Sequence, residues 1–133
     1  MFLAGLTKEK QEAFLNLAHT MVYADGRLDE NEKKIFDSYK AELVDVDFSK
    51  AHDVDFSKEL AIFDNSSQKE KFAVFFELYA IALIDESFPE EEKKLVDIMQ
   101  KRFNVSDAKM QEMKDGLRAI TAVYNNLTKI IEA

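Results

Sequence analysis

Two short acidic clusters carry the residue types in this chain most suited to chemistry. Asp25, Asp29 and Glu32 fall within eight residues, and Asp85, Glu90 and Glu92 fall within another eight. Carboxylate oxygens are hard donors, so three that converge suit a hard divalent cation such as Ca²⁺ or Mg²⁺. Positions 25–32 read Asp-Gly-Arg-Leu-Asp-Glu-Asn-Glu, which matches the rear half of an EF-hand loop. The front half of such a loop would need oxygen ligands at Met21 and Tyr23, or at Ile81 and Leu83 in the second cluster, which argues against an EF-hand. A different oxygen-rich site stays open, and so do two readings without metal. Asp29 and Glu32 have the spacing of a capping box, and acids in a first helical turn complement the helix dipole. An acidic patch can also dock a partner protein.

The remaining side chains offer little for a reaction. Cysteine is absent, which removes thiol nucleophiles, disulfides and zinc–thiolate sites. His19 and His52 have no second His, Ser or Cys at a recognisable catalytic spacing. The three glycines, at 5, 26 and 116, do not form a phosphate loop. The chain is therefore read as non-enzymatic, with no catalytic residues and no organic cofactor. Phe72, Phe75, Phe76 and Tyr79 recur at helical spacing and suit either a core or the lining of a ligand pocket.

These residues must be positioned by helices. Only three glycines and one proline occur, and apolar residues follow helical periods between them. Thr7 caps a first helix that carries Phe14, Leu17, Ala18, Met21 and Val22 on one face and ends near Ala24. After the turn at residues 25–28 a second helix begins near Asp29, with Ile35, Phe36, Tyr39 and Leu43 inward. Residues 45–58 contain DVDFSK twice, eight residues apart, and read as a connection, with Asp45, Asp47, Asp53 and Asp55 solvated or added to an acidic site. Leu60, Ile62 and Phe63 then place a short helix on the core, and Ser66 or Ser67 caps the next long helix. From Phe72 to Ile84 that helix is apolar on nearly every face, the pattern of a central, buried element. Pro89 and three glutamates open a following helix whose inner face is Leu95, Ile98 and Met99. Ser106 caps a last helical region with Met110, Met113, Leu117, Ile120, Tyr124, Leu127 and Ile131 on one stripe, and Gly116 is a point where it can bend or break.

At 133 residues the chain has the length of one domain, spanning 1–133, and 47% hydrophobic residues are enough to build a core. A net charge of −8 opposes nucleic-acid binding, which draws on clustered Lys and Arg, whereas here those residues are interspersed with acids. The opening MFLAGLTKEK lacks the basic start of a signal peptide, and no run approaches the ~20 apolar residues of a membrane span. Cytoplasmic localisation without membrane insertion is the expectation.

An internal repeat joins the two acidic clusters. With an offset of 60, DGRLDENEKKIFD (25–37) aligns with DESFPEEEKKLVD (85–97) at six identical positions, each copy following an apolar helix. The expected fold is all-α, a compact bundle of six or seven helices with two related helix–acidic turn–helix units. The runs YADGRLDENEKKIF and LIDESFPEEEKKLV resemble the TerB-like tellurite-resistance family, which includes the N-terminal domain of the DjlA co-chaperone. The resemblance spans about residues 10 to 125 and implies a helical bundle acting in stress response or defence, with acidic residues that hold divalent metal. It makes the chain a binding module, with a metal-independent interaction scaffold or co-chaperone-like docking domain as the alternative, and with a protein partner in either case. The second copy has Glu86 in place of Gly26 and Pro89 in place of Asp29, which moves the sharper metal expectation to the first turn around Asp25.

Overall fold

The computed structural model describes residues 1–24, 30–84 and 90–133, and the side chain of Glu32 also lies outside the described set. Among the described residues the chain forms six α-helices, two 3₁₀ turns and no strand, an all-α bundle. The helices are α1 (Lys8–Val22), α2 (Glu30–Glu42), α3 (Phe56–Leu60), α4 (Gln68–Ile84), α5 (Glu90–Arg102) and α6 (Asp107–Glu132). Short polar side chains start four of them by accepting from an otherwise orphaned backbone N–H. Thr7 accepts from Lys10 N, Asp55 from Lys58 N, Ser67 from Glu70 N and Ser106 from Lys109 N.

The central helix is α4, which packs against α1, α2, α5 and α6. No residue from Glu70 to Ile84 is exposed, and Val74, Phe75, Leu78, Ile81 and Ala82 are fully buried, so the apolar run is buried or half-buried on every side. The α1 face predicted from periodicity is also buried throughout, from Phe14 to Val22. It meets α2 through an edge-to-face contact of Phe14 and Tyr39, with ring centroids 5.0 Å apart. Leu60 and Phe63 lie at full burial beneath this layer, and Phe63 stacks edge-on against Phe103 at the end of α5.

Helix α5 ends in a Schellman motif. Asn104 adopts a left-handed φ of 54°, its N–H donates to Lys101 O, and the N–H of Val105 reaches back to Gln100 O at 2.9 Å. Asparagine is among the few residues other than glycine that enter this region at modest cost. Arg102, two residues before Asn104, grips Asp64 with two parallel bonds of 3.0 and 2.7 Å, tying the end of α5 to the loop before α4. That bond from Arg102 lowers the Asp64 pKa below the usual carboxylate value.

Three expectations need correction. The doubled DVDFSK is more than a connection, because each copy makes a short helical turn started by its own second aspartate. Asp47 opens a 3₁₀ turn at Phe48–Lys50 and Asp55 opens α3. An Asp before Phe-Ser-Lys offers a side-chain acceptor two or three residues ahead, a preference that competes with extended chain. On α5, Ile98 is exposed and the inward face is Glu92, Val96 and Met99 with Leu95 at its edge, since 92, 96, 99 and 103 keep the helical period and 98 does not. Helix α6 passes through Gly116 without interruption, flanked by good helix formers.

Candidate functional site

Helix boundaries locate the two acidic clusters. Helix α1 ends at Val22 and α2 is described from Glu30, while α4 is described to Ile84 and α5 from Glu90, so in chain order each cluster lies between one helix and the first turn described of the next. Asp25, Asp29 and Asp85 lie outside the described residues, as do Gly26, Pro89 and the Glu32 side chain. Glu90 and Glu92 lie inside, at the start of α5. Glu90 is exposed whereas Glu92 is buried to 1% exposure, and two residues on a helix are about 200° apart, so these carboxylates face different sides. Among the described residues no group of three or more His, Asp or Glu is placed to hold a metal ion.

Among the described carboxylates, Glu77, on α4 and only 5% exposed, is met by three donors. Its Oε2 accepts from the Tyr39 hydroxyl at 2.9 Å, and its Oε1 accepts from the Phe2 N–H at 2.9 Å and pairs with the Met1 ammonium at 2.7 Å. Glu42, at the end of α2, takes the same ammonium at 2.5 Å and the Leu3 N–H at 2.8 Å. A buried charge needs such partners because its desolvation is otherwise uncompensated. Burial opposes the charged amino group, yet its hydrogen bonds to Glu42 and Glu77 outweigh that effect and raise its pKa. Burial, with the Glu77 charge beside it, pushes the Tyr39 phenol far above its ordinary value. Sequence reasoning did not single out Glu77. Its signal was one acid within an otherwise apolar run.

The histidines have structural neighbours. His19 Nδ1 lies 2.9 Å from Asp53 Oδ1, with its ring against Tyr23 and Phe36. Thr20, one residue on, accepts from Val54 N, and Asn16 accepts from His52 N. The outer, polar face of α1 thus holds residues 52–54 in place. Of the remaining loop aspartates, Asp45 is exposed beside an open pocket, while Asp47 has its pKa lowered by hydrogen bonds from the Ser49 hydroxyl and N–H.

Two open grooves flank α6. One, of about 660 Å³, is lined by Phe2, Phe72, Phe76 and Met113, so half of the aromatic set reaches a cavity while Phe75 and Tyr79 stay in the core. The other, of about 580 Å³, runs between Ile35, Leu83 and Ile84 on one side and Leu117, Arg118 and Thr121 on the other. Beyond these grooves the apolar stripe of α6 is uncovered, with Tyr124 at 71% and Ile131 at 80% exposure. No helix among the described residues is long and apolar enough to cross a membrane. Comparison of the chain with protein-family models, with curated proteins and with solved structures gives no match.

Proposed function

We propose that this chain is a TerB-like, non-enzymatic binding module built from two related helix–acidic turn–helix units, and that its first turn holds a divalent cation. The observation that carries this reading is the register of the helices. Helices α1 and α4 begin at Lys8 and Gln68, and α2 and α5 end at Glu42 and Arg102, the same sixty-residue offset that aligns the acidic motifs. Burial follows the offset too, with Phe14 and Val74, Ala18 and Leu78, Met21 and Ile81, and Tyr39 and Met99 all in the core. Asp25, Asp29 and Glu32 are three hard oxygen donors at one helix junction, a set suited to Ca²⁺ or Mg²⁺. Asp85 with Glu90 and Glu92 is the weaker set, because Glu90 and Glu92 leave α5 on different sides.

Thermal melts with and without Ca²⁺, Mg²⁺, Mn²⁺ and Zn²⁺ test it. An ion that binds only the folded chain raises the melting temperature by mass action, and Asp25→Ala removes that rise. Equal melting with and without every ion defeats the metal assignment. A second reading, an interaction scaffold that works without metal, is favoured by the uncovered apolar stripe of α6. Partners retained from lysate equally well in chelator and in Ca²⁺ would favour that scaffold.

A further inference from the structure

The face of α6 that docks on the bundle is the same face that later stands uncovered. Met110 and Met113 pack half-buried against the core, and Lys109 Nζ lies 5.5 Å over the Phe72 ring. From Met110 to Ile131 the apolar positions advance by alternating steps of three and four residues, through Leu117, Ile120, Tyr124 and Leu127. That is a period of ~3.5 sustained over three heptads, the spacing that keeps one helix facing another along its whole length. Past Leu117 the body faces α6 only across the groove at Thr121, Ala122 and Asn125, and the apolar stripe turns away from it. Ile120 is 48% exposed and Leu127 51%, with Val123 and Ile130 widening the stripe to an arc of roughly 120°.

We infer that this overrunning half of α6 is a homodimerisation surface, packing seam to seam on the same segment of a second copy. A seam with coiled-coil spacing fits another helix of equal spacing, and a two-fold arrangement supplies one from an identical chain. Charge favours the same occupant. The chain carries −8, yet residues 117–133 hold only Arg118, Lys129 and Glu132 as charged residues. The positions flanking the seam are Gly116, Thr121, Val123, Thr128 and Ile130, so two such faces meet without like charges opposed. An anionic lipid surface would call for a Lys- and Arg-rich flank, which this helix lacks. The exposed apolar area is on the order of 600 Å² per copy, close to the ~800 Å² per partner of a standard stable interface.

Sedimentation velocity on the full chain, from about 1 to about 300 μM, reads the association directly. The wild type shifts from monomer to dimer within that range. Leu127→Glu, at a side chain already half in water, weakens association at least ~100-fold while helix content and melting in dilute solution stay unchanged. Lys129→Glu, on the opposite side of α6, leaves the dimer intact. Raising salt from about 50 to about 500 mM strengthens the dimer, because it screens repulsion between two acidic bodies. A wild type that stays monomeric throughout overturns the inference, as does a Leu127→Glu chain that dimerises like the wild type. Leu127-dependent sedimentation with phosphatidylglycerol vesicles by a chain that never dimerises would also overturn it and assign the face to lipid.

Discussion

A carboxylate placed among phenylalanines must be met by donors, and Glu77 is met by three: the Tyr39 hydroxyl, the Phe2 N–H and the Met1 ammonium. Removing only the phenolic donor leaves a buried acceptor short of a partner, so Tyr39→Phe should lower stability by about 1–3 kcal/mol in urea unfolding. The same cluster gives a pH dependence. The amino group has a folded-state pKa raised above its ordinary 8.0, so the stability it contributes is fully present below pH 8 and is lost as pH rises through the raised value. The urea midpoint should therefore fall on the alkaline side of pH 8, and Glu77→Gln should flatten that slope. A midpoint independent of alkaline pH would show that the ammonium contacts contribute nothing to folding. Glu77 was legible in principle as the one acid of the run 72–84, but a sequence does not show which donors will reach an acid from 38 or 75 residues away.

Caps and periodicity made most helices readable. Thr7, Ser67 and Ser106 start α1, α4 and α6 as their residue types suggest, because the first N–H groups of a helix need a local acceptor. The reading was weaker where the signal was short. A five-residue helix such as α3 carries too little periodicity to outweigh alternating Asp and Val, and its one local signal was the Asp55 cap, which the sequence left among the loop carboxylates. Asp55→Ala should cost about 1 kcal/mol, whereas Asp45→Ala, at an exposed position that starts no helix, should stay within about 0.5 kcal/mol of wild type in chemical denaturation. Equal costs for the two would mean that the caps do not set the structure of the doubled segment. On α5 the misassigned Ile98 shows a related weakness: an apolar residue identifies a face only together with its partners three and four positions away.

The molecule as a whole is organised around α4, which joins the α1–α2 side to α5 and α6. Phe75 is fully buried there and stacks against Tyr79, so Phe75→Ala should cost about 3–5 kcal/mol and lower the single unfolding transition rather than release one helix. Separate transitions for α1–α2 and α4–α5 would contradict one shared core. Fold class and the central helix were open to sequence reasoning. The uncovered half of α6 was not, because periodicity marks which face of a helix is apolar without saying what lies opposite. An ion at the first acidic turn is tested most directly by a site-resolved measurement. Amide chemical shifts of an isotope-labelled chain, followed during titration with Ca²⁺ and then Mg²⁺, should change saturably around residues 25–32 and lose that change in Asp25→Ala. Absence of any saturable change, or change confined to residues 85–92, would contradict an ion at the Asp25 turn.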